Sequence, residues 1–261
     1  MLRSLYTAAT GMEAQQFQMD TIANNLANVG TTGFKRVRAE FEDLLSETIR
    51  PAGASTLQGG GRPSPLQMGM GVRTVATTRS FGTGDMQHTN NPLDVAIEGS
   101  GFFKVQKANG ETAYTRAGNL RIDASGRLET QRGELLEPSI TIPPDATDVS
   151  FRGDGLVTAK VPGRTDAVEL GSLEIFMFTN QGGLEAIGGN LMRSTVASGE
   201  PIAARPGEQG AGSILQGFTE GSNVKAVEEM IGLISTQRSY ELNSKVIQTA
   251  DQMLQKLTNL R

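Results

Sequence analysis

Two long helical repeats, one at each end of the chain, constrain this sequence more than anything between them. Leu5, Met12, Met19 and Leu26 recur every seven residues, and Ala8, Ile22 and Val29 fill the interleaved positions, with Gln15 the polar exception. That spacing predicts a single helix from about Leu2 to Asn28 with a heptad-like apolar seam. At the other end Val227, Ile231, Ile234, Leu242, Val246, Ala250, Met253, Leu257 and Leu260 follow three-or-four spacing, interrupted by Arg238. Met230, Leu233, Tyr240, Ile247 and Leu254 form a second stripe beside the first, so the apolar face is broad. Ser222 or Asn223 can cap the start of this helix, and Glu228 and Glu229 lie near its positive end. At ~1.5 Å per residue it would run to roughly 57 Å, longer than a globular core helix needs. A two-stripe face requires more neighbours than one partner helix supplies, which points to helices that pair with each other and with copies of the same chain. A heterologous contact of that kind builds an open filament. The alternative is an intramolecular two-helix stalk that merely closes the chain.

The middle of the chain has the other periodicity. VAIEGSGFFKV alternates Val95, Ile97, Phe103 and Val105, and Asn109-Gly110 marks a tight hairpin turn. Further strands are predicted in AYTRAGNLRI, RLET, SITI, DVSF, LVTAKV and SLEIFMF, with turns at residues 123–126 and 153–155. Gly99-Ser-Gly101, inside a strand pattern, reads as a bulge. Glycine accounts for 32 of 261 residues, well above the ~7 % of ordinary proteins, as a turn-rich β region requires. The expected class is α+β: N- and C-terminal helices paired in a coiled-coil-like domain, with a mainly antiparallel β domain inserted between them. The expected division is 1–45 plus 222–261 for the helical domain, 46–70 for a long loop or extended hairpin, and 71–221 for the β domain. Residues 46–70 hold three prolines and a glycine triplet without periodicity.

Chemistry is hard to build from these residues. There is no Cys, so no thiol chemistry or Cys-based metal site exists, and His88 is the only His, among polar turn residues. No G-x-S-x-G or Gly-Lys occurs, which removes the nucleophile elbow and the P-loop. Asp123 and Gly126 belong to a hairpin turn that lacks the ligand series of a calcium loop. Lys35, Arg36 and Arg38 form a brief basic cluster, but a net charge of −4 leaves no basic field for nucleic acid. The expectation is no enzyme, no cofactor and no metal. The N-terminus has no sustained apolar core or cleavage site, so the chain either stays in the cytoplasm or leaves without a cleaved signal.

The stretch NNLANVGTTGFKR, residues 24–36, places Asn24, Asn25 and Asn28 in poor helix-forming company at a helix end. Their amides suit bonding to exposed backbone there. Gly30 fits a left-handed helix stop, and Gly33 a second turn before Phe34 re-enters apolar contacts. This stretch resembles the N-terminal signature of bacterial flagellar rod and hook proteins. The similarity continues through NNPLDVAIEGSGFFKV and YTRAGNLRIDASGRLET and ends in SNVKAVEEMIGLISTQRSYELNSKVIQTADQMLQKL, so it covers nearly the whole chain. The segment from Glu47 to Arg79 is similar to the distal-rod pattern within that family.

The resemblance implies a non-enzymatic axial subunit of the distal rod, stacked into a hollow helical tube that transmits torque from motor to hook. It implies as partners the chain itself, proximal rod proteins, hook or hook-junction subunits, P-ring and L-ring proteins as a surrounding bushing, and the flagellar type III export apparatus. The implied location is the basal body, where the rod crosses periplasm and outer membrane. On this reading Leu5, Met12, Met19, Ile22 and Leu26 pair with Ile231, Ile234, Ile247, Leu254 and Leu257 across and within subunits, with Tyr240 beside them. Asn24, Asn25, Asn28, Gly30, Gly33 and Phe34 redirect the chain from helix to loop at subunit contacts. The alternative from another class is a monomeric β-rich binding module or adhesin on a helical stalk.

Overall fold

The computed structural model describes residues 2–52, 64–163 and 167–259, the side chains of residue 2 and of residues 257–259 excepted. The architecture is α+β, with helices at both ends and strands between. The chain divides into one unit of residues 1–26, 37–78 and 226–261, and another of residues 27–36 and 79–225.

In the helical unit, α1 (Leu2–Ala27) and α2 (Ala226–Asn259) form where the apolar repeats predict them. They run antiparallel. The Asn25 amide reaches Glu229 at 3.2 Å, Ile22 lies against Gly232, and Gly11 lies against Asn243. Small side chains let the helices approach: Ala8, Ala14 and Ala250 are buried, and a Cβ on Gly11 would sit 2.9 Å from the Asn243 amide nitrogen. A mid-helix glycine costs about 1 kcal/mol of helix propensity, and close packing is its compensation here.

Of the two α2 stripes, the one carrying Leu233, Ile247 and Leu254 is partly buried on the side of Glu229, Thr236 and Ala250. The stripe of Val227, Ile231, Ile234, Leu242 and Val246 is exposed.

Strand β1 (Val37–Asp43) pairs with β4 (Val72–Arg79), and β2 (Glu47–Arg50) pairs antiparallel with β3 (Leu66–Met68). The segment expected as a loop or extended hairpin is therefore an extended hairpin at its base, and its residues 53–63 lie outside the described residues. Arg3 on α1 bonds Glu47 at 2.5 Å, and Arg73 pairs with Glu42 across β1 and β4. Gly71 has φ +115° and sits where a Cβ would collide with the Thr10 hydroxyl, so a larger residue at position 71 is strained.

The second unit is built on a seven-stranded antiparallel sheet. Its spatial order is Glu185–Gly188, Leu191–Arg193, Thr112–Thr115, Phe103–Gln106, Leu135–Glu137, Leu128–Thr130, Leu120–Ile122. Asp148–Phe151, Leu156–Lys160 and Val168–Ser172 make a three-stranded sheet, and Val95–Glu98 pairs with Ser213–Gln216.

Consecutive phenylalanines serve two cores, because neighbouring strand residues face opposite ways. Phe103 joins Val95, Ile97, Val105, Leu128 and Ile175, while Phe102 joins Tyr114, Phe176, Phe178 and Met192. Gly99 and Gly101, at φ +120° and +129°, turn the chain between these strands rather than bulging one of them.

Two predicted strands differ in the structure. AYTRAGNLRI breaks into Thr112–Thr115 and Leu120–Ile122, because Arg116 turns inward and Gly118 lies directly against the Val95 carbonyl. SITI forms only a bridge from Thr141 to Arg127, its backbone bonding Leu128 and Gly126 in passing while Ile140 and Ile142 enter the core. His88, expected in a turn, lies in Met86–His88, paired with Phe218–Glu220, its ring edge-on to Phe218 at 5.0 Å.

Candidate assembly surface

Within the helical unit, Asn25 is 1 % exposed and does what a strand neighbour would do. Its Oδ1 accepts the Val37 N–H at 2.9 Å, its Nδ2 donates to the Val37 carbonyl at 2.8 Å, and the same nitrogen reaches the Glu229 carboxylate. One amide thus anchors the start of β1 to α1 and ties both to the first turn of α2. Asparagine suits this because only an amide presents donor and acceptor side by side. Asn24 is exposed one position earlier.

In the second unit the rest of the signature makes a compact turn. Thr31 donates from N–H to the Asn28 carbonyl and from its hydroxyl to Asn28 Oδ1, both at 3.1 Å. The left-handed residue is Gly33, at φ +70°, and not Gly30, which is exposed and has no positive φ. Gly33 passes so close to the 116–117 peptide that a Cβ would lie 2.8 Å from the Ala117 nitrogen, while its N–H bonds the Glu220 carbonyl at 2.7 Å. Tertiary approach, rather than a helix stop, sets that conformation. Phe34 is buried, with the Arg79 guanidinium 5.9 Å from its ring centre.

Lys35, part of the brief basic cluster in the sequence, is 1 % exposed. Its Nζ lies 2.6 Å from Glu220 Oε1 and donates to the Gly82 carbonyl at 2.7 Å. Arg116 Nε lies 2.7 Å from Glu220 Oε2, and its remaining nitrogens donate to the carbonyls of Ile97, Gly99 and Gly101. Glu220 also accepts from the Gly84 N–H at 2.9 Å, so each of the three charges has at least two partners. Burial pushes the Glu220 carboxyl up, but Arg116 and then Lys35 outweigh it and hold it below the usual carboxylate range. Burial and the nearby Arg116 charge lower the Lys35 ammonium, against the pull of Glu220.

Asn223 works like Asn25: its Oδ1 accepts from Arg36 N–H at 2.7 Å and its Nδ2 donates to the Ser80 and Gly82 carbonyls. Arg116 and Glu220 escaped the sequence reading, while Asn223, expected as a cap for α2, bonds Arg36, Ser80 and Gly82 instead, and α2 starts only at Ala226. The signal available was a lone charge of each sign inside a β pattern, at Thr115-Arg116 and Thr219-Glu220.

The remaining expected assembly residues fall on two faces. Leu5, Met12, Met19 and Leu26 are partly buried, and Ile22 is buried against α2. Ile247 and Leu254 lie on the α2 side that faces α1, with Tyr240 at its margin. Ile231 and Ile234 are 63 % and 50 % exposed and point away, so the chain does not bring them to α1. The side chain of Leu257 lies outside the described residues.

A groove of about 580 Å³ beside Ile122 and Pro143 contains Asp123 and Asp148. Asp123 is bonded to Arg127 and Asp148 sits 3.9 Å from Lys160, so neither carboxylate converges on the other. Among the described residues no three metal-ligating side chains cluster, and no helix is long and apolar enough to cross a membrane.

Three family descriptions match the chain: "Flagella basal body rod protein" over residues 5–35, "Flagellar hook protein FlgE/F/G D1 domain" over 96–159, and "Flagellar basal body rod FlgEFG protein C-terminal" over 215–260. The flagellar basal-body rod protein FlgG of Buchnera aphidicola from Acyrthosiphon pisum is 48 % identical over 260 residues, covering all of both chains. The Caulobacter vibrioides protein of that name is 48 % identical over 261 residues and the Bacillus subtilis one 40 % over 267, again across the full length of each. The hook protein FlgE of Helicobacter mustelae is 41 % identical over 138 residues, 52 % of this chain and 30 % of its own. With identity of this order from end to end, the chain belongs to the flagellar basal-body rod protein family.

Proposed function

We propose that this structural rod subunit polymerises through its terminal helices into the distal segment of the flagellar rod, a hollow shaft that carries torque from motor to hook. The observation that supports this reading is the outer face of α2, where Val227, Ile231, Ile234, Leu242 and Val246 are each at least 44 % exposed along one stripe. Apolar side chains aligned at that density mark an interaction surface rather than scattered surface residues. The same stripe argues against a monomeric module on a stalk, which has no use for a second apolar face. On this reading the chain is not an enzyme. Its partners are its own copies, proximal rod and hook subunits, the P and L rings as bushing, and the export apparatus that secretes it without a cleaved signal.

Concentration series followed by light scattering and electron microscopy test the assembly. The native chain is expected to form elongated particles, and Ile231→Glu/Ile234→Glu to remain monomeric with unchanged helix content. Equal assembly by that double variant would remove the exposed stripe as the assembly surface.

A further inference from the structure

The two helices carry complementary charge on the faces they turn away from each other. On α1, Glu13 and Asp20 stand seven residues apart at the centre of the exposed face, with Tyr6, Ala9 and Phe17 around them. On α2, Arg238 and Lys245 stand seven residues apart along the exposed apolar stripe, Arg238 being the residue that interrupts it. Among the described residues none of these four charges has an ion-pair partner within the chain. Seven residues is nearly two turns, or ~10.5 Å, so the two acids of one helix match the two bases of the other in spacing as well as sign.

We propose that the acidic outer face of α1 in one copy seats on the outer stripe of α2 in the next copy, with Asp20 against Arg238 and Glu13 against Lys245. This rests on the self-assembly reading above and names the surface that covers the stripe. With the helices antiparallel, the alignment puts Ala27 opposite Ile231, Gln16 opposite Leu242 and Tyr6 beside Met253. Small or flat side chains thus meet the large apolar ones. Glu241, between the two bases on the same stripe, comes opposite Phe17 and meets no like charge.

Within one copy Ile22 lies against Gly232, so Asp20 is level with residue 234 of its own α2. The charge alignment sets it against residue 238 of the neighbour, four residues further. Successive copies are therefore offset by about 6 Å along the helices. Because the paired faces differ and lie on opposite sides of the helix pair, the contact is heterologous and does not close on itself. All copies also point the same way.

The absence of Cys from the chain gives a clean test. Under mild oxidation at assembling concentrations, Asp20→Cys/Arg238→Cys is expected to give a disulfide ladder of dimers, trimers and higher species. Glu13→Cys/Arg238→Cys, which only parallel helices would join, is expected to give none. Arg238→Glu and Asp20→Arg are each expected to raise the concentration needed for assembly roughly tenfold or more, through like-charge contact. Asp20→Arg/Arg238→Glu together are expected to restore it.

A ladder that stops at dimers, or one formed by the Glu13→Cys pair, overturns the contact. Single reversals that assemble like the native chain, or a charge swap that fails to rescue, overturn it too while leaving self-assembly standing. If the native chain does not assemble under the same conditions, the functional reading falls first and this contact with it.

Discussion

Replacing Glu220 by Gln is the sharpest test of how the second unit is held together. The carboxylate is fully buried and receives Lys35, Arg116 and the Gly84 N–H at 2.6–2.9 Å. The substitution is isosteric, so it leaves no cavity, but it raises the buried charge at this point by one and strands two cations beside each other. Breaking a buried ion pair by removing one partner costs about 3–5 kcal/mol, mostly the uncompensated charge. In a unit of roughly 150–160 residues, each kcal/mol moves the melting temperature ~2–4 °C, so the expected loss is about 6–20 °C. Lys35→Met should cost less, about 1–3 kcal/mol, because the bonds to Glu220 Oε1 and the Gly82 carbonyl are lost but Arg116 and Glu220 remain as a neutral pair and Oε1 keeps the Gly84 N–H.

The readout is near-ultraviolet circular dichroism. The chain has no Trp, and Tyr114 sits edge-on to Phe178 at 4.8 Å in the second unit, so that signal follows its packing. A Glu220→Gln shift below about 3 °C, or a Lys35→Met shift larger than the Glu220→Gln one, would refute the idea that Glu220 neutralises two buried cations.

Acid should act through the same carboxylate. Its pKa is depressed in the folded state, so its stabilisation is present above the ordinary glutamate range and is lost as pH falls through the folded value. The native chain should therefore lose stability more steeply on acid titration than Glu220→Gln, which chemical denaturation at stepped pH will show. Asn25→Ala removes both bonds to Val37 and the one to Glu229 from a buried site, and is expected to cost the helical unit roughly 2–4 kcal/mol. Hydrogen exchange at the Val37 amide should accelerate accordingly, and unchanged protection there would contradict the assignment. Gly118→Ala would drive a methyl group into the Val95 carbonyl, with Phe103 behind it, and is expected to unfold the second unit at 37 °C, read as lost near-ultraviolet signal.

Both terminal helices were legible because their signal is local: apolar residues repeating at helical spacing declare the element wherever it ends up. The same holds for turns such as Asn109-Gly110, where Gly110 takes φ +81° and its N–H closes onto Lys107 as a hairpin requires. The two stripes of α2 were also visible, but not which one faces α1, because both are apolar and periodicity is blind to what lies opposite. Packing decided it through small residues. Gly11 and Gly232 let the helices meet on the stripe side of Leu233 and Ile247. Ile231 and Ile234 were left outside.

The signature stretch shows the same division at single residues. Its three asparagines and two glycines pointed to a passage from helix to loop; α1 ends at Ala27 and Thr31 closes a turn onto Asn28. What each residue does depends on partners far away in sequence. Asn25 answers to Val37 and Glu229, Gly33 to Ala117 and Glu220, and Lys35 to Glu220 and Gly82. By itself the sequence determined the helices, the β region between them and the family, since these rest on spacing and order along the chain. Tertiary structure alone decided that a lysine beside two arginines is a buried charge rather than a solvated one. A charge is stable inside only where distant elements bring it an opposite charge and spare carbonyls, and no local pattern records that meeting.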